Sequence, residues 1–308
     1  MSSTKVRAVL GGALAAGCAA LPLTSVGAQP SPTNGVGPGE TTADSPVTID
    51  KDGWIHYENL RADKLDLINP KRSLLTLERS ADGSCVRSGE SSGGSRDGGS
   101  QDLGDHFSEE TAYNPGLCQV ETIDGYLTVE ATRQLSEQDG AASGAQTKSD
   151  GATTRADLPS HTAHQKGRWI DPVNITITSL TANISWKYSG TSATATDAYW
   201  VPYTFSWDGW SRSGTPSNAT SSYSDHVTLN GHEQFRNTDF ELAMEVIFGP
   251  AAVYAACGFD FSTAIFDHTE TIRGYENGGW TSNYNDTANG GCSNLVRYSH
   301  QEGYGNIN

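Results

Sequence analysis

Residues 174–188 read Asn-Ile-Thr-Ile-Thr-Ser-Leu-Thr-Ala-Asn-Ile-Ser-Trp-Lys-Tyr. Asn174-Ile-Thr-Ile-Thr178 and Asn183-Ile-Ser-Trp-Lys-Tyr188 alternate apolar with polar side chains, which is the period of a strand and not of a helix. Ile, Thr, Trp and Tyr are also the types that fit a pleated surface. Each run predicts a strand that buries one face.

The same texture runs outward from this stretch to the C-terminus. Six of the seven Trp lie from Arg168 onward, and the apolar runs there are separated by Gly, Asn, Asp and Ser clusters. Phe240, Leu242, Met244, Val246 and Phe248 alternate with Glu241, Ala243 and Glu245, predicting another strand, and Val253 to Phe266 continues the pattern. Many short strands with few helix starts argue for an all-β chain, with an antiparallel β-sandwich or barrel over 167–308. About 140 residues suffice for one such core.

Toward the N-terminus, 47–135 reads as a small β-rich module. Ser73-Leu-Leu-Thr-Leu-Glu-Arg79 is a candidate strand, and Asp124-Gly125 lies between alternating runs. Such a pair predicts a hairpin turn, because a type I′ turn needs positive φ at both positions. Three tracts are poor in large apolar side chains: 29–46, a Gly/Ser insert at 87–104, and 136–166. Such composition cannot bury enough surface to order itself, so the first reads as a linker and the last as a linker or mobile loop.

Residues 1–28 have the form of a cleavable export signal. Lys5 and Arg7 precede an uncharged run from Ala8 to Leu23, and Val26-Gly27-Ala28 offers small residues to a signal peptidase. As a helix that run reaches only ~24 Å, short of a membrane core, and no later segment reads as a span. Cys18 after Ala15-Ala16-Gly17 raises the alternative of a lipid-anchored lipoprotein, but Leu14 stands one position too far from it for the usual signal.

Four cysteines follow the signal: Cys85, Cys118, Cys257 and Cys292. An even number in an exported chain argues for two disulfides. Three pairings are open, and the placement of two in each half favours Cys85–Cys118 and Cys257–Cys292. Each closes a loop of about 35 residues, worth ~3–4 kcal/mol by loop entropy. None sits in a Cys-x-x-Cys pair, so metal binding by cysteine is not expected.

The net charge of −16 becomes more negative once the signal is removed. With no basic cluster to offset it, nucleic acid and anionic lipid are excluded as partners.

Candidate chemistry is sparse. Gly89-Glu-Ser-Ser-Gly93 matches G-x-S-x-G, but a nucleophile elbow needs a strand and a helix around it, and this copy lies in the Ser/Gly tract. Asp239, Glu241 and Glu245 would share one face of the expected strand, ~7 Å apart at alternate positions, within range of a glycosidase acid and base pair. Jelly-roll glycoside hydrolases carry such carboxylates on one strand, but Asp-Phe-Glu-Leu-Ala-Met-Glu has neither their order nor their spacing, so no family is assigned. Asp225, His226, His232 and Glu233 lack a recognised ligand spacing, and Asn283 to Gly290 departs from a calcium loop. No metal and no cofactor are expected.

The most promising feature is aromatic. Tyr199-Trp200-Val-Pro-Tyr203-Thr-Phe205-Ser-Trp207-Asp-Gly-Trp210 is followed by Trp280 and Tyr284. Rings on an acidic, Asn-rich β-protein stack on sugar faces while amides bond the hydroxyls. Strand parity puts Trp200 and Trp210 opposite Tyr203, Phe205 and Trp207, so one set is expected in the core and the other outside. Trp200, Trp210, Trp280 and Tyr284 are the candidate binding residues. The leading expectation is a secreted, non-catalytic protein binding an extracellular glycan or protein surface. The alternatives are a secreted polysaccharide hydrolase using Asp239, Glu241 and Glu245, and a structural or toxin-associated cell-surface component.

Overall fold

The computed structural model describes residues 46–94, 104–138, 158–205, 209–249, 253–254, 257 and 262–307. In chain order the elements are β1 (Val47–Ile49), β2 (Ile55–Tyr57), β3 (Leu67–Thr76), β4 (Glu78–Arg79), β5 (Cys85–Gly93), β6 (His106–Asn114), β7 (Gln119–Leu127) and α1 (Val129–Gln138). There follow β8 (Ser160–Ile170), β9 (Thr176–Tyr188), β10 (Ala193–Thr204), β11 (Ser211–Ser222), β12 (His226–Asn237), α2 (Phe240–Phe248), β13 (Ala264–Tyr275), β14 (Trp280–Asn289) and β15 (Arg297–Tyr304).

These strands build two antiparallel sheets packed together as in a sandwich. The larger runs β1-β2-β6-β15-β8-β9-β10, with β7 paired to β6 and β3 to β7. The smaller runs β11-β12-β13-β14-β5-β4. Strands from 47–135 and from 160–308 share both sheets, since β6 pairs with β15 and β5 with β14. The signal and the linker through residue 45 lie outside the described residues.

The stretch at 174–188 yields the central strand β9. Ala182, Ile184 and Trp186 point to one side and pack with Val227, Leu229 and Ile272 of the facing sheet, and Leu180 is fully buried. Its other face is buried too: Ser179, Thr181 and Asn183 are covered, and Asn183 exchanges two 2.9 Å hydrogen bonds with the backbone of Ile307. The expectation of one buried face is corrected over 176–183, where the C-terminal tail meets Asn183, and holds at 184–188, where Ser185 and Lys187 are half-buried between buried Ile184, Trp186 and Tyr188. A second cluster around Trp169, Phe235, Phe240 and Phe266 fills the other end of the inter-sheet space, and a third sets Ala131 and Leu135 of α1 on Phe107 and Leu127.

Four further expectations are corrected. Residues 240–248 form the helix α2, not a strand. Phe240, Met244 and Phe248, spaced by four, are buried in the core, whereas Leu242 is 53% and Val246 88% exposed. A spacing of four satisfies both periods, and Leu, Ala, Met and Glu favour the helix. Asp124-Gly125 lies inside β7, and the chain turns at 115–118 instead, with Cys118 at φ 48°. The tract at 87–104 begins as β5 through Gly93, and 136–166 contains the end of α1 and the first part of β8.

Both disulfides take the favoured pairing, Cys85–Cys118 and Cys257–Cys292. The first ties the start of β5 to the turn before β7. No helix among the described residues is long and apolar enough to cross a membrane.

Candidate functional site

The aromatic platform is not assembled as the sequence suggests. Trp210 is 3% exposed, with its ring 4.4 Å from that of Phe266 and 5.1 Å from that of Phe240. Trp280 is also in the core, crossing Tyr304 edge-on at 5.9 Å. Trp200 is half-buried on β10 beside Gly231. Tyr284 stacks on His300 at 4.2 Å. Trp207 lies outside the described residues. Parity failed as a guide because Trp210 falls beyond the end of β10, where the strand register no longer applies.

The carboxylates are likewise redistributed. Asp239 precedes α2, Glu241 is buried in its first turn, and Glu245 follows one turn later. The histidines of the 225–233 cluster point to separate partners, His226 to Asp225 and His232 to Asp267, while Glu233 receives a bidentate Arg212 at 2.8 and 2.7 Å. Asn283 to Asn289 lie within β14, so their side chains alternate between its two faces instead of enclosing an ion.

A concave site lies on the outer face of the smaller sheet. A groove of about 590 Å³ is lined by Glu90, Ser91 and Ser92 of β5, Thr271, Arg273 and Tyr275 of β13, and Thr281, Ser282 and Asn283 of β14. A hollow of about 280 Å³ shares Glu90 and Asn283 and adds Glu78, Ser88, Gly89, Tyr284 and Asn285. Register sets the chemistry, because Asn283 lies opposite both Glu90 and Thr271, and Thr281 opposite Arg273. Asn283 Nδ2 donates to Glu90 Oε1 at 3.2 Å, Arg273 Nε to Thr228 Oγ1 at 3.4 Å, and the hydroxyls of Tyr275 and Thr281 lie 3.2 Å apart.

The Ser/Gly composition of β5 has a packing cause. A Cβ at Gly89 would stand 2.7 Å from the Tyr284 ring, and one at Gly93 2.0 Å from Trp280 Nε1. Glycine therefore faces the aromatic rings of β14 while Ser88, Glu90 and Ser92 face outward. The signal available in the sequence was this period-2 alternation of glycine with polar residues, which low-complexity composition masks.

Behind the same strands, between the sheets, lies a buried polar cluster. On β13 the inward positions are Ala264, Phe266, His268, Glu270 and Ile272, so two ionisable residues interrupt an apolar face. His268, Glu270 and Asp286 of β14 are fully buried, and one ligand-capable atom from each lies within 4.8 Å of the others. His268 Nδ1 is 3.1 Å from Asp286 Oδ2, and His268 Nε2 is 3.1 Å from Thr178 Oγ1. Asp286 Oδ1 accepts the Thr269 N–H at 2.9 Å.

No side chain donates to either oxygen of Glu270, which has only the backbone N–H of Gly167 near it, and the Tyr298 hydroxyl closes the cluster from β15 beside Asp286. Burial, then the charges of Asp286 and Glu302, push the Glu270 carboxyl well above the usual carboxylate range. Burial likewise raises the Tyr298 phenol. The period-2 pair His268 and Glu270 between Phe266 and Ile272 was legible in the sequence as a polar break in an inward register. Asp286 joins it only through the β13–β14 pairing.

No family model, curated protein or solved structure matches this chain.

Proposed function

We propose that this chain is an exported, non-catalytic protein that binds a neutral extracellular glycan in the groove across β5, β14 and β13. The observation that carries the reading is the lining of that groove: hydroxyls, a side-chain amide, one carboxylate, one guanidinium and the Tyr275 ring on a rigid three-strand floor. Sugars present an apolar ring face and a rim of hydroxyls, which an aromatic ring and fixed donors and acceptors complement. The net charge of −16 repels polyanionic glycans, which narrows the class to neutral ones. Two disulfides suit an oxidising compartment, and export through residues 1–28 belongs to the same proposal.

The test is depletion of the mature chain from solution by insoluble cellulose, chitin, xylan and starch, with heparin beads as the anionic control. Retention is expected on at least one neutral polymer and not on heparin. Tyr275→Ala and Arg273→Ala should each weaken it about tenfold, the equivalent of ~1.4 kcal/mol. Trp210→Ala should act through stability instead. Asp239→Asn with Glu241→Gln and Glu245→Gln should leave retention unchanged. Retention on no neutral polymer, or retention indifferent to Tyr275 and Arg273, would remove the glycan reading.

A further inference from the structure

We infer that His268, Glu270 and Asp286 form a divalent transition-metal site enclosed between the two sheets, taking Zn²⁺ or an ion of similar preference. Three features converge on it. First, the donor set is one imidazole and two carboxylates, all fully buried, with ligand atoms within 4.8 Å of one another. Around a tetrahedral zinc, ligand atoms stand about 3.4 Å apart, and the His268–Asp286 pair is already at 3.1 Å.

Second, Glu270 is a fully buried side chain that receives no side-chain hydrogen bond and has only the Gly167 backbone N–H near it, too little for a buried carboxylate. Buried carboxylates are paired, hydrogen-bonded or bound to metal. The charges that act on it are those of Asp286 and Glu302, both carboxylates, so a dication beside Glu270 and Asp286 would offset this repulsion.

Third, a glycine lets the oxygens come together. A Cβ at Gly167 of β8 would lie 2.3 Å from Asp286 Oδ2, 2.4 Å from Glu270 Oε1 and 2.7 Å from the Tyr298 hydroxyl, so oxygens from three strands converge over this one residue.

The imidazole is also arranged for ligation. With Nδ1 turned to the carboxylates, the Nε2 N–H is placed to donate to Thr178 Oγ1 at 3.1 Å. A second-shell acceptor of this kind fixes the orientation of a metal-bound histidine. Nitrogen in the donor set favours Zn²⁺ over Ca²⁺, which prefers oxygen alone.

Because the site is enclosed, loading is coupled to folding. The full chain should therefore be refolded from guanidinium in Zn²⁺, Mn²⁺, Ca²⁺ or chelator, passed through a desalting column and assayed for bound metal and melting temperature. The expected result is one zinc per chain that survives desalting, with a melting temperature several degrees above the chelator-refolded sample. Refolding with Co²⁺ should give visible absorption bands.

Glu270→Gln, nearly isosteric, should retain under about one-tenth of the metal while keeping its far-ultraviolet circular dichroism and any glycan retention. Wild type that carries no ion and melts identically with and without metal would overturn the proposal, leaving Glu270 a buried protonated acid. Full metal retention by Glu270→Gln would overturn it equally, by placing the ion elsewhere. Neither outcome bears on the groove, whose binding is read separately.

Discussion

At the scale of single residues, His300 is the clearest titratable probe of the interior. It is buried on β15 against Tyr284, and burial, followed by the charges of His106, Arg168 and His164, holds its pKa well below 6.5. The folded chain thus binds this proton less readily than the unfolded chain. Its contribution to stability is intact above ~6.5 and is lost as pH falls below that value, at up to about 1.4 kcal/mol per pH unit. His300→Phe keeps an aromatic ring on Tyr284 and removes the proton. Urea unfolding at several pH values should show the variant gaining on wild type between pH 6.5 and 5, with a constant difference above 7; parallel curves throughout would mean that His300 does not titrate there. Glycine offers a second probe. Gly93→Val would drive a side chain into the Trp280 indole and should cost roughly 1–3 kcal/mol in the same assay, the usual penalty of overpacking. Neither role could be read from the sequence, where His300 follows a serine in a polar tail and Gly93 sits in a Ser/Gly tract. Each is defined by a ring from another strand.

At the scale of elements, sequence period identified β9 but misassigned 240–248, and the reason is specific. Alternation there placed Phe240, Leu242, Met244, Val246 and Phe248 on one face, whereas the helix buries only every fourth residue and leaves Leu242 and Val246 outside. The two arrangements differ at Val246. Val246→Asp should change stability by no more than about 0.5 kcal/mol, as at other open surface sites, while Met244→Ala should cost about 2–5 kcal/mol as a core truncation. Equal, large losses in both would restore the strand. The same ambiguity displaced the expected carboxylate row, since Asp239, Glu241 and Glu245 shared a face only as strand residues. The cysteines were more legible, because pairing within each half left short loops. Replacing Cys85 and Cys118 together by Ala should lower the unfolding free energy by roughly 2–4 kcal/mol, measured against wild type with and without reductant.

At the scale of the whole molecule, the compositional break at 136–166 marks a change in texture but not an edge of either sheet. β6 lies between β7 and β15, and β5 extends the smaller sheet beyond β14. One buried ion pair and one buried hydrogen bond cross the same junction. Arg297 of β15 meets Glu109 of β6 at 3.0 Å with both side chains fully buried, and Glu110 of β6 takes Arg87 Nε at 3.0 Å while accepting the Tyr298 N–H. Removing one partner of such a pair leaves an uncompensated buried charge, a loss of about 3–5 kcal/mol before any apolar contact is counted. A fragment of residues 158–308 would lose Glu109, Glu110 and Arg87 together and expose the β14 and β15 edges that β5 and β6 cover. It should show no cooperative thermal transition alone, and should regain one when refolded with a fragment of residues 29–138. A sharp transition in the isolated 158–308 fragment would mean that its strands close a core of their own. Failure of the mixture to recover cooperativity would mean that the covalent connection through 139–157 is needed to bring the halves together. The Arg297–Glu109 pair predicts neither outcome, because the isolated 158–308 fragment lacks Glu109 whereas the mixture holds both partners.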